Sequence, residues 1–105
     1  MIHSVQAAMP IPYAALADFC QRHHIVRMWL FGSVLRSDFS ADSDVDILVE
    51  FDPEHVPGWE FYGSWPDELA AIFQHPVDLG TPNSLRPWIK PDIMAEAQVI
   101  YERPD

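Results

Sequence analysis

The sequence predicts an α/β fold, a mixed β-sheet of about three or four strands flanked by helices. Two stretches and their surroundings carry that expectation. Ile25–Phe31 is a nearly continuous apolar run, as in a strand buried on both faces. Asp44–Phe51 alternates, with Val45, Ile47, Val49 and Phe51 pointing one way and Asp44, Asp46, Leu48 and Glu50 the other. Segments with helical spacing stand on either side, and strands alternating with helices build layered α/β domains.

The elements follow in order. Residues before Pro10 read as a loose leader. Pro12 opens a helix running to about Arg22, with Tyr13, Leu16, Phe19 and Cys20 at helical spacing. After the first strand, Gly32-Ser33 ends the run and a short helix over Val34–Ser37 is expected. Between Gly58 and Gln74 the period turns helical again, with Leu69, Ile72 and Phe73 in phase. Pro66 either breaks that helix or marks a fresh start with Ser64 as its cap. Pro76–Leu79 predicts a short third strand, Pro91–Ala97 a short helix, and Val99-Ile100-Tyr101 an edge strand.

The chain has 105 residues, the size of one domain, and residues 1–105 are read as a single unit. At 49% hydrophobic and 12% aromatic it is apolar enough to fold. No apolar run approaches the roughly 20 residues of a membrane span. The N-terminus lacks the basic and apolar regions of a signal peptide. Cys20 is the one cysteine, so no internal disulfide forms and a cytoplasmic location is expected. Six Lys and Arg face sixteen Asp and Glu, a formal net charge of −10. Gripping nucleic acid directly takes several cationic phosphate contacts, which the scattered Arg22, Arg27, Arg36, Arg86, Lys90 and Arg103 do not supply. An acidic surface suits a basic protein partner, and equally serves solubility.

The chemistry concentrates in Gly32-Ser33, ten intervening residues, and Asp44-Val45-Asp46. Carboxylates at i and i+2 on a strand share a face, about 7 Å apart at Cα. Their repulsion is about 2 kcal/mol at an effective dielectric near 20, so the pair calls for a cation. Mg²⁺ fits, because it takes one or two carboxylates along with phosphate oxygens and water. Gly-Ser at a strand end opening a helix offers backbone N–H groups and a hydroxyl to a phosphate. Donors for a triphosphate and carboxylates for its metal thus make one device. Asp78, on the short third strand, would take the proton from an acceptor hydroxyl or complete a second metal site. A calcium loop is the rival reading of Asp42, Asp44 and Asp46. It fails because Ile47 stands where that loop needs Gly, and Pro53 where it needs Glu.

The run from Gly32 to Val49, with its Gly-Ser, ten residues and Asp-x-Asp before an apolar strand, resembles the minimal nucleotidyltransferases of the DNA polymerase beta superfamily. Arg36, Ser43-Asp44 and Val77-Asp78-Leu79 also fall where that family has them, and the likeness spans roughly residues 14 to 102. Ser37, where Gly often follows the Arg, and Gly80 depart from the pattern. The resemblance implies Asp44 and Asp46 as metal ligands, with Asp78 as the third carboxylate. It also implies Gly32, Ser33 and Arg36 on the nucleotide phosphates. Many such short members are antitoxins of HEPN ribonuclease toxins, and their chemistry is AMP transfer from ATP to a toxin tyrosine. The short chain leaves the acceptor side for a partner or second copy to finish. An antitoxin acting by binding alone, and a transferase acting on a small molecule, are the alternatives.

His23-His24, His55 and His75 lack metal-ligand spacing with any Cys. Trp59, Phe61, Tyr62 and Trp65 form an aromatic cluster that either packs the core, stacks an adenine or meets a partner helix.

Overall fold

The computed structural model describes residues 1–104; residue 105 of the expected single unit lies outside the described residues. Helix α1, Tyr13–Arg22, starts directly after Pro12 and buries Leu16, Phe19 and Cys20 on one stripe. His24, at φ 58, turns the chain back into strand β1, Ile25–Phe31. Strand β2, Val45–Phe51, pairs antiparallel to β1. Helix α2, Ser64–Phe73, leads to β3, Val77–Gly80, which lies parallel to β2. Helix α3, Lys90–Glu96, precedes β4, Gln98–Glu102, antiparallel to β1. The sheet is mixed and four-stranded, in the order β3-β2-β1-β4.

Alternation along β2 decides where the core sits. Val45, Ile47 and Val49 are buried in one cluster with Leu16, Phe19 and Phe73 from the two helices. The edge-on contact of Phe19 with Trp65, ring centroids 5.7 Å apart, joins α1 to α2. Cys20 is buried too, and that burial pushes its thiol pKa up to about 12, leaving it unreactive. The other sheet face carries, by register, Phe31, Asp46 and Asp78 in one row and Trp29, Leu48 and Gly80 in the next. Leu48 is buried as well, so the polar side of β2 is polar only near its two ends. Among the described residues, no helix is long and apolar enough to cross a membrane.

Four expectations change. The leader is not loose: Ile2 bridges Tyr101, the His3 N–H donates to Ile100 O at 3.0 Å, and the Ala8 N–H donates to Val34 O at 2.7 Å. Its Ile2, Val5 and Met9 pack on the core, which explains why a segment without periodicity is ordered. The helix after the first strand is one 3-10 turn, Gly32–Leu35, because Arg36 returns to extended backbone at φ −122. Around Pro66 the fresh start prevails, but Gly63 is the N-cap and Ser64 makes no capping bond. Of the aromatic cluster, Trp65 is buried, Phe61 is half-buried, and Trp59 and Tyr62 stand in solvent.

Trp65 buries its indole Nε1 with no hydrogen-bond partner among the described residues. Removing that donor offsets much of the lost packing, so Trp65→Phe is expected to cost less than about 1 kcal/mol. Phe19→Ala in the same contact should cost about 3–5 kcal/mol. Urea unfolding curves of the two variants check the contrast.

Candidate active site

Local sequence builds the site at one end of β1 and β2. Gly32 follows the last residue of β1 and adopts φ +76, a conformation that L side chains rarely take. A Cβ added there would collide with the Asp46 carboxylate. Glycine is therefore required twice over, by the backbone angle and by the close approach. The 3-10 turn that it opens is pinned beneath by the buried Val34, whose carbonyl accepts from Ala8.

Asp44 is positioned from its own loop. It precedes β2 rather than belonging to it, and the Val45 N–H donates to Pro76 O at 2.8 Å. Ser40 and Ser43 close a turn just before it, with the Ser40 N–H donating to Ser43 Oγ at 2.9 Å and the Ser43 N–H to Ser40 O at 3.0 Å. His75 lies 3.4 Å through Nδ1 from Ser43 O and packs on the Phe39 ring. Asp46 and Asp78 are direct partners across the parallel β2–β3 ladder. Neighbouring strands run about 4.8 Å apart, so the two carboxylates emerge side by side on one face.

Electrostatics reflect that crowding. Burial, then the Asp78 and Asp44 charges, raise the Asp46 pKa from 3.8 to about 6, against a weaker lowering by Arg36. Among the described residues, none of these three carboxylates accepts a hydrogen bond or joins a salt bridge. Clustered acceptors without donors fit a cation, and the glycine cradle leaves the Asp46 oxygens uncovered by any side chain at position 32. Asp44 and Asp46 are the residues suited to hold Mg²⁺. No group of three or more His, Cys, Asp or Glu among the described residues is arranged to hold a metal ion. A cation at Asp44 and Asp46 would therefore draw its remaining ligands from phosphate and water, as Mg²⁺ does.

Arg36 reaches the same end of the sheet. Its guanidinium donates to Glu96 Oε1 at 2.8 Å and to Asp38 Oδ1 at 3.3 Å. The Glu96 clamp joins Arg36 to α3 across 60 residues, and no local sequence signal foretells it. Ser33 leaves its hydroxyl without a protein partner among the described residues, while its carbonyl accepts from the Arg36 N–H at 2.9 Å. Farther along the acidic face of the sheet lies a cleft of about 690 Å³, lined by Trp29, Glu50, Thr81, Asn83, Lys90 and Met94 among others. The register that aligns Trp29 with Leu48 brings Trp29 to the site's own face, and Lys90, at the start of α3, lines the same cleft.

Known proteins resemble this chain in sequence and in fold. Residues 14–100 match the family model described as a nucleotidyltransferase domain. A Methanocaldococcus jannaschii protein provisionally named protein adenylyltransferase MJ1379 is 35% identical over 81 residues, 76% of this chain and 79% of its own. The Thermococcus cleftensis protein adenylyltransferase MntA is 33% identical over 81 residues, 77% of this chain and 78% of its own. A solved structure provisionally assigned as a minimal nucleotidyltransferase superposes with TM-score 0.67 at 29% identity, covering 82% of this chain and 86% of that one. A toxin–antitoxin crystal structure with AMP-PNP shares the fold, with TM-score 0.64 at 16% identity over 87% of this chain and 73% of that one.

The raised Asp46 pKa fixes a pH dependence. The folded state holds a proton that the unfolded chain releases, so this group's contribution to stability falls as pH rises from about 4 to about 6. Asp46→Asn removes the penalty. Solvent screening limits the gain to about 1 kcal/mol, or about 4–8 °C in melting temperature. Metal-free Asp46→Asn should melt higher than the parent at pH 7.5 and equally with it at pH 3.5, which paired thermal scans check.

Proposed function

The chain belongs to the nucleotidyltransferase domain family, and we propose that it transfers AMP from ATP, with magnesium, to a tyrosine hydroxyl of a HEPN ribonuclease toxin whose antitoxin it is. The observation that carries the reading is the row of unpaired carboxylates, Asp46 beside Asp78 with Asp44 just upstream, facing the Gly32-Ser33 turn. A protein acceptor is supported by two relatives that are named protein adenylyltransferases. The HEPN partner rests on the motif resemblance and on the acidic charge of −10, which favours a basic protein over nucleic acid.

Each residue then has a task. Ser33 Oγ and the N–H groups of the 3-10 turn hold the β- and γ-phosphates. Asp44 and Asp46 hold Mg²⁺, which when bound neutralises phosphate charge and supports departure of pyrophosphate. Arg36 adds positive charge on the phosphate side, once its pairing with Glu96 is exchanged for phosphate. The 690 Å³ cleft lined by Trp29, Asn83 and Lys90 takes the nucleoside. The Asp78 carboxylate accepts the proton from the tyrosine hydroxyl as its oxygen bonds to the α-phosphorus. The bond from that phosphorus to the β-bridging oxygen breaks in line, and pyrophosphate carries away the electron pair.

Asp78→Asn tests the division between nucleotide and acceptor. Nucleotide affinity should stay within about threefold of the parent by calorimetry, while transfer falls by about 100-fold or more, the low end for a lost general base. Intact-mass spectrometry of the toxin after incubation with Mg-ATP reads the transfer. Undiminished AMP addition by Asp78→Asn would remove Asp78 from the chemistry.

A further inference from the structure

Apolar surface in this molecule is unevenly placed. Val56, Trp59 and Tyr62 are 67%, 87% and 76% exposed, within one loop and one 3-10 turn. Large aromatic side chains left in water are a poor use of apolar area unless something covers them. They are not loosely attached: Tyr62 packs edge-on to Phe61 at 5.2 Å, and Phe61 packs on buried Trp65 at 5.7 Å. A ring ladder thus runs from the core out to Trp59, which lies 6.3 Å from Tyr62. Beside it opens a groove of about 340 Å³ with Phe51, Phe61 and Leu79 in its wall, reaching Gly80 on β3. Gly80 is two residues from Asp78 on the same strand, about 7 Å along it.

Charge narrows the occupant. From Ser37 to Leu85 the chain has eleven Asp and Glu and no Lys or Arg. Arg36, Arg27, Arg103 and Arg22 neutralise Asp38, Glu50, Asp52 and Glu68 from outside that segment. Glu54, Glu60 and Asp67, which flank the aromatic shelf in sequence, have no salt bridge among the described residues. Glu60 is fixed by backbone N–H groups of Gly58 and its own residue, so its charge is held in place rather than cancelled. A second copy of the chain meeting this face would set like charges against each other, and an anionic lipid or nucleic acid would be repelled. A cationic polypeptide satisfies both features, because Arg and Lys pair with carboxylates and also lie over Trp and Tyr faces.

We propose that the shelf of Val56, Trp59 and Tyr62, with the groove beside it on β3, docks a cationic segment of the protein acceptor and so brings its hydroxyl to Asp78. The inference rests on the protein-acceptor reading above and adds to it the surface and the chemistry of the segment. Trp and Tyr suit such a role, being the side chains that most often anchor interfaces. Trp88, also exposed at 73%, is unsuited because it already lies under the Arg86 guanidinium at 5.6 Å.

The test measures binding and transfer separately, with the HEPN toxin as acceptor. Trp59→Ala/Tyr62→Ala, and independently Glu54→Lys/Asp67→Lys, should each raise the KM for toxin at least tenfold while ATP affinity is unchanged. Trp88→Ala should leave both values alone. Toxin affinity of the parent, measured without ATP, should drop steeply toward 1 M salt, where charges are screened within about 3 Å. The two double variants alter surface side chains by different chemistry, so a shared folding failure, visible by circular dichroism, would not imitate the result. If the parent transfers AMP and both double variants keep its KM, the docking surface is overturned and the proposed activity stands. If toxin binds through this surface and gains no mass, the activity falls and the surface stands. Absence of any toxin binding by the parent overturns both.

Discussion

The contact between the Asp46 carboxylate and the Gly32 backbone is the constraint on which the rest of the site depends. It exists because β1 and β2 pair in a register that sets Phe31 opposite Asp46, so the residue after Phe31 must pass directly beside that carboxylate. Only glycine fits the space and the positive φ. The turn that follows therefore lies next to the carboxylates, and under the proposed function its Ser33 hydroxyl and the carboxylate pair would share one cation and one triphosphate. Burying Asp46 and setting it beside two other acids costs stability, the two causes that raise its pKa. The opposite face of the same strand offsets that cost with Val45, Ile47 and Val49, all fully buried.

The two central strands were legible because their burial is written residue by residue. Ile25–Phe31 came out with the boundaries that its apolar run implied, and the alternation of β2 identified its core side. Alternation put Asp46 on the side of β2 away from the core, and the register with β3 sets Asp78 beside it, whereas Asp44 lies just ahead of the strand and outside its period. What was illegible depends on distant partners. The leader is ordered by backbone bonds to Ile100 and Val34, and backbone donors carry no side-chain signature. Glu96 meets Arg36 only because β4 returns beside β1, a long-range event. Leu48 shares a side with Asp46 and Glu50, yet it is covered, so alternation correctly gave its direction and not its burial. In the aromatic cluster, Trp65, Leu69 and Phe73 recur every four residues along α2 and go inside. Trp59 and Tyr62 belong to the preceding 3-10 turn and face away.

The sheet order divides the labour of the site. The Gly32-Ser33 turn and Arg36 follow β1, Asp44 precedes β2 and Asp46 lies in it, and Asp78 occupies β3, one of the two edge strands. Under the proposed function, nucleotide is held over the centre of the sheet and acceptor approaches from its edge. An edge strand of four residues leaves that approach open. The basic residues lie before Ser37 and after Leu85, so the acceptor side is also the acidic side. Geometry and charge thus point the same way, toward a cationic macromolecule arriving beside β3.

The central claim is that the Gly32-Ser33 turn and the Asp44–Asp46 pair grip one metal–nucleotide unit. Paramagnetic Mn²⁺, standing in for Mg²⁺, tests it most directly when titrated with a non-hydrolysable ATP analogue into ¹⁵N-labelled protein. Broadening should centre on the amides of residues 32–34, 44–46 and 78, and should vanish in Asp44→Asn/Asp46→Asn. Broadening centred on another acidic stretch, such as Asp52 to Glu54, or unchanged in the double variant, would contradict the account.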